Sequence, residues 1–535
     1  MARTRVIPEQ WKVTKIIPLY KGKGSRALVE NYRPIAIVDI TYKIFTYVLY
    51  FQIRPKLESQ LLDEQRGFCQ GKSTSDAIAT VQRVEEECRK AGINMVAVFV
   101  DIAKAYDSVP RNLLFGVLKT YGLEPEMVEV LQLLYTDTMG RVVVNGVESE
   151  LFDITSGVKQ GCILSPILFN VYVDFALRQC LEQLRENGIP WEYPEDALRA
   201  LSMTDKEMKQ LSQRSAPKWY KKKLGVVQFA DDKALLAPAD ERAHKSLVTF
   251  TATMKSWCLR VSVAKTKYMI FGPKTGPALD LNLDLDIDGQ PLEQVSEFKY
   301  LGSIITDSGD QLANLKNRVR LGNWRMATFD PLWRRKDISP FVKGKFMRNG
   351  VLGPVFHGIE RCSLTKKDLA WLDERYHRWM AWALNLPKQW LGRRLSNVEM
   401  RKRLRLQPLV PYIQKRILQW AGHNARAHDR RPTLPSIALS GRLDTDVYKY
   451  PEYGRFAPPG PRMWKPALKQ ALIATMRGTP LFTDEMARNK AGWEKRTKVP
   501  LIEATKDEVA CPHCQLHYQR QELERHMTRR HGGGV

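Results

Sequence analysis

The chain has no apolar run approaching the ~20 residues that a membrane-spanning helix needs, so the sequence predicts no transmembrane segment. No apolar signal region follows its basic N-terminus, and we therefore expect an intracellular protein. Cysteine is scarce, with eight in 535 residues. Six cysteines lack any regular spacing: Cys69, Cys88, Cys162, Cys180, Cys258 and Cys362. This scatter argues against a disulfide framework and predicts reduced, buried thiols.

Acidic residues are also in deficit. The 58 Asp and Glu stand against 84 Lys and Arg, which gives a formal net charge of +26. A positive surplus of this size favours a polyanionic partner, and the 13 Trp and 19 Tyr can supply surfaces for base stacking. Composition therefore favours nucleic-acid binding over mere solubility or affinity for a membrane surface.

Two short apolar runs that end in carboxylates carry the strongest chemical signal. One run precedes Asp101, and the other precedes the pair Asp231 and Asp232. Strands that end in carboxylates can hold divalent ions, and two Mg²⁺ ions ~3.5–4 Å apart can promote nucleotidyl transfer. Successive strand residues face opposite sides of a sheet, so the Asp pair can share one site only at a turn. Taken alone, Asp-Asp is more often ordinary hairpin chemistry.

Further segments surround these carboxylates in a consistent order over about residues 10–306. They are residues 31–35 (NYRPI), 65–68 (QRGF), 72–74 (KST), 99–107 (FVDIAKAYD), 156–162 (SGVKQGC), 165–170 (SPILFN), 229–232 (FADD), 264–267 (AKTK) and 300–302 (YLG). Together they resemble the reverse transcriptase of non-LTR (LINE-like) retrotransposons. The resemblance implies an α+β right-hand polymerase with fingers, thumb and an antiparallel palm sheet.

The resemblance also implies roles for the residues of the first acidic segment and the Asp pair. Asp101, Asp231 and Asp232 would bind two Mg²⁺ ions at the catalytic centre. Tyr106 would lie beneath the incoming sugar and exclude a 2′-hydroxyl, which predicts a preference for deoxynucleotides. Asp107, in the same segment, is better explained as a structural carboxylate or cap than as a metal ligand.

Five other positions match family residues that contact substrate. Gln160 and Gly161 would approach the template–nucleotide pair, because glycine permits close backbone contact. Lys265 would donate a proton to pyrophosphate, although a lysine is often only a solvated surface group. Arg33 and Lys21 would contact triphosphate or template.

The second half of the chain is basic and rich in tryptophan. Residues 316–336 and 393–405 carry clustered Lys and Arg, and the first cluster follows the YLG segment, where the family places its thumb. Cationic helices there would grip the phosphates of a primer–template duplex independently of sequence. Most of the tryptophans are more simply explained as helical core.

The C-terminus carries a Cys-x2-Cys-x11-His-x4-His pattern formed by Cys511, Cys514, His526 and His531. Two thiolates and two imidazoles suit tetrahedral Zn²⁺, so we expect a structural zinc in a ββα finger. The Cys-to-His gap is one residue shorter than the usual twelve. The finger is expected to contact nucleic acid, with a protein partner as the alternative.

These observations predict five regions. They are fingers and palm (1–275), the YLG region with thumb-like helices (276–375), a basic helical extension (376–430), a Pro-rich linker or extended region (431–507) and a zinc finger (508–535). Helices are expected over about residues 36–62, 74–90, 112–136, 165–185 and 239–257, with a hairpin turn at Asn145-Gly146.

The expected function is RNA-directed DNA polymerisation with an RNA template, a DNA primer or target and deoxynucleoside triphosphates, in an intracellular, nuclear setting. A catalytically decayed nucleic-acid-binding protein is an alternative, and so is a group II intron-type maturase, although the zinc finger points away from the latter. The chain begins almost at the first family segment and has no segment assignable to an endonuclease. We therefore expect a truncated element copy, a fragment or the product of a host-adopted gene. We do not expect this chain to nick its DNA target by itself.

Overall fold

The computed structural model describes residues 6–22, 24–195, 218–272, 283–386, 395–430, 432–440, 442–443, 468, 471, 508–510 and 517–519. Helix and sheet are mixed, and the chain divides into two units. Unit 1 is Met1–Glu192, Lys221–Leu301 and Arg442–Pro458, and unit 2 is Tyr193–Tyr220, Gly302–Gly441 and Pro459–Val535. None of the described helices is both long and apolar enough to cross a membrane.

The strands are short and lie mainly in the first 306 residues. They are β1 (Val13–Tyr20), β2 (Tyr32–Ile37), β3 (Met95–Val100), β4 (Met139–Val144), β5 (Val147–Glu148), β6 (Phe152–Asp153), β7 (Ile189–Pro194), β8 (Trp219–Leu224), β9 (Val226–Phe229), β10 (Asp232–Pro238), β11 (Lys267–Phe271), β12 (Asp286–Ile287), β13 (Gln290–Pro291), β14 (Glu293–Gln294), β15 (Glu297–Tyr300), β16 (Ser303–Thr306), β17 (Arg442–Leu443), β18 (Glu508–Ala510) and β19 (His517–Gln519).

Helices pack on these strands in unit 1 and make up most of the described part of unit 2. In unit 1 they are α1 (Glu9–Lys12), α2 (Ile40–Gln60), α3 (Thr74–Lys90), α4 (Arg111–Thr120), α5 (Pro125–Tyr135), α6 (Ser165–Arg178), α7 (Leu181–Glu186) and α8 (Glu241–Ser256). In unit 2 they are α9 (Leu312–Thr328), α10 (Asp330–Arg334), α11 (Pro340–Phe346), α12 (Gly353–Val355), α13 (Lys366–Ala383), α14 (Asn397–Leu404), α15 (Leu409–Arg430) and α16 (Leu434–Ser440). Single-turn 3₁₀ segments at Val29–Asn31 and Ile359–Arg361 and a π-helical segment at Met347–Leu352 complete the set.

The central sheet of unit 1 has the strand order β14-β11-β3-β10-β9. Strand β3 is antiparallel to both β10 and β11, and only the two-residue edge strand β14 runs parallel to its neighbour. All six residues of β3 are buried, which explains why its sequence is continuously apolar rather than alternating. Helix α8 packs on β10 and on α6, so the sheet is covered by helix.

A second sheet of unit 1 joins β2, β1, β4 and β5. Strands β1 and β2 form an antiparallel hairpin, whereas β1 and β4 pair in parallel. Strands β4 and β5 are joined by Asn145 and Gly146, with φ of +51° and +82°. Positive φ at both central residues is the geometry that Asn-Gly favours, so the predicted hairpin is confirmed.

Two predicted helices are broken. The segment 112–136 forms α4 and α5, because Gly122 turns the chain with φ +71° and Pro125 starts a new helix. The segment 165–185 forms α6 and α7, with Cys180 as the N-cap of the second helix. The prediction of α3 is confirmed, and its start at Thr74 is fixed by a capping box between Ser73 and Asp76.

The described part of unit 2 is mainly helical and has tryptophans in its core. Trp333 is fully buried and its Nε1 donates to the Met326 carbonyl, while Trp379 Nε1 donates to Asn323 Oδ1. Trp324 is 62% exposed, so it is not part of this core. Helix α16 is buried, and the extended chain predicted from residue 431 therefore does not hold for residues 434–440.

The thiols largely follow the prediction. Within the described residues, the six scattered cysteines are free, and five of them are buried. Cys258 is the exception: it is exposed, in a left-handed turn (φ +58°) just after α8. The expectation that all six thiols are buried is therefore wrong at this position.

Candidate active site

The three predicted carboxylates lie at one end of the central sheet. Asp101 directly follows β3, and Ala230 and Asp231 form a two-residue turn between β9 and β10. Lys233 pairs with Val100 in the ladder, so Asp232 and Asp101 occupy opposing positions on adjoining strands. Paired strands lie ~4.8 Å apart, and this register brings two chain segments 130 positions apart to one site.

The carboxylates influence one another electrostatically. Asp232 keeps solvent access but is closely surrounded by protein, and this desolvation, followed by the charges of Asp231 and Asp101, raises its pKa to about 6. The charge of Lys233 opposes that shift. Clustered like charges raise a carboxyl pKa because ionising the second group costs free energy. The site therefore favours the arrival of a cation.

Lys265 lies at these carboxylates. Its Nζ donates to Asp101 Oδ2 at 3.2 Å, and both side chains remain accessible to solvent. The segment before β11 is held against Asp101 by its backbone, since Ser262 N donates to the Asp101 carbonyl at 2.8 Å. Thr266 Oγ1 accepts from Asp101 N at 3.3 Å. The structure thus brings Lys265 to the acidic site, as the resemblance implied.

Lys233 is a buried cation beneath the Asp pair. Its side chain is fully buried, and its Nζ donates to the carbonyls of Ala230 (3.2 Å) and Asp231 (3.3 Å). Burial lowers the pKa of Lys233 to about 8, while the charges of the three carboxylates oppose that shift. Successive residues of a strand face opposite sides of the sheet, so Lys233 lies on the face away from Asp232. Lys233 was not among the predicted site residues, although a lysine at the start of the apolar run 233–238 was a visible signal.

The QRGF segment supports the turn that carries the Asp pair. Gln65 Oε1 accepts from Ala230 N at 2.9 Å and from Gly67 N at 2.8 Å. A Cβ on Gly67 would lie 2.5 Å from Ala230 N, so only glycine fits there. Asn170 Nδ2, from α6, donates to the Gly67 carbonyl at 2.7 Å. This segment was among those that resemble the family, but no role was predicted for its residues.

Tyr106 lies near the turn and is held by a second ring. It stacks on Phe169 with ring centroids 4.6 Å apart and planes inclined by 15°. Burial, and then the charge of Asp231, raise the pKa of the Tyr106 hydroxyl. Asp107 is exposed, and its carbonyl accepts from Ser156 Oγ at 3.1 Å. Tyr106 is therefore a half-buried, fixed ring within electrostatic range of Asp231.

The Gln160–Gly161 segment lies against β2. Ala36 N donates to the Gln160 carbonyl at 2.7 Å, and a Cβ on Gly161 would lie 2.3 Å from the Ala36 carbonyl oxygen. Arg33 is exposed three positions earlier on β2, ~10 Å along the strand. Lys21 lies beyond the end of β1, where its Nζ donates to the Glu30 carbonyl at 2.6 Å. Lys21 and Arg33 thus belong to the β1–β2 hairpin rather than to the carboxylate cluster.

The carboxylates fit a divalent ion only in part. Within the described ranges, no three His, Cys, Asp or Glu side chains are grouped closely enough to hold a metal by themselves. Mg²⁺, however, prefers oxygen ligands and is usually held by one or two carboxylates together with water and substrate phosphates. The opposed pair Asp101 and Asp232, with Asp231 in the adjoining turn, suits such a shared site.

The predicted zinc ligands Cys511, Cys514, His526 and His531 lie outside the described residues. The described residues nearby are β18 and β19, which pair antiparallel with Val509 opposite Tyr518. This short ladder joins the segments immediately before and after positions 511–516.

Residues 21–305 match the family model described as reverse transcriptase (RNA-dependent DNA polymerase). The chain is 26% identical over 377 residues to a probable RNA-directed DNA polymerase from transposon BS of Drosophila melanogaster, covering 68% of this chain and 37% of that protein. It is 23% identical over 347 residues to a Pol polyprotein from the type-1 retrotransposable element R2 of Nasonia vitripennis, covering 64% of this chain and 30% of that protein.

The chain is also 23% identical over 375 residues to the RNA-directed DNA polymerase from mobile element jockey of Drosophila melanogaster. The matched region covers 67% of this chain and 36% of that protein. The chain thus spans about a third of the length of these relatives. Among solved structures, apo telomerase from Candida tropicalis aligns with a TM-score of 0.39 at 12% identity, covering 82% of this chain and 71% of that one.

Proposed function

Because the chain belongs to the reverse transcriptase (RNA-dependent DNA polymerase) family, we propose that it extends a DNA 3′-end by copying an RNA template with deoxynucleotides. The observation that carries the proposal is the convergence of Asp101, Asp231 and Asp232 at one end of an antiparallel sheet. In this proposal the central sheet is the palm of a right-hand polymerase, the β1–β2 hairpin belongs to the fingers, and α9 begins the thumb.

The carboxylates would act through divalent metal ions, usually Mg²⁺ in reverse transcriptases. Such ions, when bound, lower the pKa of the attacking 3′-hydroxyl and stabilise the charge on the leaving pyrophosphate. Asp101 and the Asp pair would supply oxygen ligands from two chain segments. Lys265, 3.2 Å from Asp101, would exchange that partner for a phosphate oxygen and donate a proton to pyrophosphate.

Substrate selection would rest on the residues around Tyr106. Its ring cannot move freely because it is stacked on Phe169, so a 2′-hydroxyl placed against it would clash. Gln160 and Gly161 would present backbone to the template–nucleotide pair, because no Cβ fits between Gly161 and Ala36. Arg33 would reach triphosphate or template from the exposed side of β2.

Helix α9 offers a surface for the primer–template duplex. Lys316, Arg320 and Trp324 are exposed at intervals of four residues and so share one face, and α9 contains no acidic residue. Other cations of the basic region have structural partners: Arg318 donates to the Pro354 carbonyl and Arg325 to the Gly350 carbonyl. The exposed face combines phosphate-binding charge with a ring that can stack on a base.

The experiment that tests the enzyme proposal is primer extension on an RNA template by the full chain. Asp231→Asn should abolish extension, because it removes a charged metal ligand while keeping the shape of the turn. Asp288→Asn is the matched control: Asp288 is exposed, and asparagine tolerates its φ of +52°. Equal extension by the parent and by Asp231→Asn would refute the proposal. Absent extension with retained RNA binding would favour the decayed nucleic-acid-binding protein.

We also propose that the C-terminal segment binds one structural zinc through Cys511, Cys514, His526 and His531. The antiparallel pairing of β18 and β19 supports the first half of a ββα finger. Metal analysis of the purified chain should give one zinc per chain, and Cys511→Ser should lose it. A nuclear location stays a prediction, which imaging of the tagged chain in cells would check.

A further inference from the structure

The turn that carries the Asp pair is conformationally strained. Ala230, its first residue, has φ +54°, in the left-handed region that a residue with a Cβ avoids. Glycine is the usual residue at such a position in a two-residue hairpin turn. A strained residue of this kind persists only where its surroundings hold it. The contacts of Ala230 therefore determine where Asp231 and Asp232 point.

Gln65 holds the amide side of Ala230. Its side chain is fully buried, and Oε1 accepts from Ala230 N at 2.9 Å. The same oxygen accepts from Gly67 N at 2.8 Å, which fixes the Gln65 side chain against its own loop. Within the described chain, the Gln65 Nε2 atom has no hydrogen-bond partner. Only the side-chain oxygen of Gln65 is therefore used.

The segment around Gln65 is itself attached to β9. Arg66 N donates to the Gln228 carbonyl at 2.8 Å, and Gln228 N donates to the Glu64 carbonyl at 3.0 Å. On the other side of the turn, Lys233 Nζ donates to the Ala230 carbonyl. Side chains thus bind both backbone polar groups of Ala230. The contact with Gln65 is between neutral groups, whereas the contact with Lys233 involves a titratable amine.

We propose that Gln65 is a positioning residue for the carboxylate site: by accepting from Ala230 N it holds Asp231 and Asp232 opposite Asp101 before a divalent ion binds. This inference rests on the proposed function, since it concerns the same site. The turn is then already ordered when the ion arrives, so none of the binding free energy of the ion is used to order the turn. Without the acceptor, the left-handed conformation of Ala230 would compete with relaxed alternatives, and part of the binding free energy of the ion would be lost.

The test compares three variants of the full chain with the parent. Gln65→Met keeps the size of the side chain but has no oxygen to accept the two amides. Gln65→Glu keeps an acceptor oxygen for the two amides and replaces the unpartnered Nε2 by a second oxygen, which also introduces a buried acidic group. Thr46→Val is the matched control, because it removes a fully buried hydrogen bond, from Thr46 Oγ1 to the Tyr42 carbonyl, in α2.

Three measurements are made on each variant. Mn²⁺ binding is followed by electron paramagnetic resonance without nucleic acid or nucleotide, and primer extension is measured against Mg²⁺ concentration. Hydrogen–deuterium exchange is measured on peptides that cover residues 226–232, in the absence of metal. Gln65→Met should weaken Mn²⁺ binding about tenfold, which is about 1.4 kcal/mol, and raise the Mg²⁺ concentration for half-maximal extension by a similar factor.

Excess Mg²⁺ should restore much of the extension rate of Gln65→Met, and its turn amides should exchange faster than those of the parent. Gln65→Glu should bind Mn²⁺ within about threefold of the parent, and Thr46→Val should leave Mn²⁺ binding unchanged. Parent-like Mn²⁺ binding and exchange in Gln65→Met would overturn the inference, as would an equal loss in Thr46→Val. If the parent itself does not extend primers, the proposed function fails, while Mn²⁺ binding and exchange still decide the role of Gln65.

Discussion

Replacing Lys233 by methionine should make unit 1 more stable and the enzyme less active. The side chain of Lys233 is fully buried, and burial lowers its pKa to about 8 from an ordinary value of 10.5. A shift of that size corresponds to a cost of about 3 kcal/mol for keeping the ammonium charged inside the fold. Methionine has a similar length and carries no charge, so it removes this cost.

The gain is reduced by the contacts that methionine cannot make. The carbonyls of Ala230 and Asp231 would lose their donor, and each such contact to a charged group contributes about 1.5–3 kcal/mol at most. Asp231 is half-buried, so water can replace the donor of its carbonyl, whereas Ala230 is buried and its carbonyl loses the donor without replacement. One unreplaced contact of about 1.5–3 kcal/mol, set against the cost of about 3 kcal/mol that methionine removes, leaves a gain in the free energy of unfolding of at most about 1.5 kcal/mol at pH 7 without divalent metal.

The pH dependence of stability shows whether the buried charge of Lys233 causes the difference between the parent and Lys233→Met. Between pH 8 and 10.5 the unfolded chain holds a proton on Lys233 that the folded chain has lost, so the stability of the parent rises with pH in that window. Lys233→Met lacks this rise, and its advantage over the parent should disappear by about pH 10.5. Urea unfolding, with hydrogen exchange of β3 and β10 to separate the two units, would measure the difference. Lys119→Met, at an exposed position, is the control.

Activity should change in the opposite direction. The turn beneath the Asp pair loses its contacts with Lys233, so primer extension should fall at least tenfold even though the fold is more stable. A residue retained at a cost to stability is the pattern expected of a functional site. The reasoning would be refuted if Lys233→Met were destabilised at pH 7 with no pH-dependent difference, or if it extended primers like the parent.

Three further predictions concern the site and the basic surface. Tyr106→Val should lower the preference for deoxynucleotides over ribonucleotides roughly 10- to 100-fold in kcat/KM, because it opens space against the sugar; an unchanged ratio would contradict the proposed role. Gly67→Ala should lower extension strongly, since its Cβ would lie 2.5 Å from Ala230 N, whereas Gly116→Ala, with nothing within 4 Å, should be neutral or slightly stabilising. Trp324→Ala should weaken binding of an RNA–DNA duplex by about 1–3 kcal/mol, measured by fluorescence anisotropy, without loss of fold because the ring is exposed.

The sequence alone allowed much of the site to be predicted. Asp101 and the Asp pair were singled out because they end apolar runs within an ordered series of segments that resembles a polymerase family, whereas Asp-Asp alone is ordinary hairpin chemistry. The hairpin at Asn145 followed from a turn whose φ values few residues tolerate. The hairpin depends on local backbone chemistry, which a short stretch of sequence carries, whereas the carboxylate prediction needed the order of segments along about 300 residues.

Local sequence patterns were less informative about helix ends and side-chain burial, because tertiary contacts determine both. Apolar periodicity continued through Gly122 and through Cys180, so single helices were predicted where the chain breaks. Trp324 and Trp333 lie in one basic segment, yet one is exposed and the other is fully buried. Which face of a helix is covered depends on the neighbouring helices, and the sequence of that helix does not specify them.

The sequence by itself determined where carboxylates, aromatic rings and residues that tolerate unusual backbone angles stand along the chain, because those properties belong to each residue. Only the tertiary structure decided that Gln65 and Lys233 hold Ala230 from opposite sides and that Lys265 meets Asp101. Those contacts join segments separated by up to 165 positions. Hydrogen bonds act over about 3 Å, so such partners are defined only once the sheet register brings their strands together.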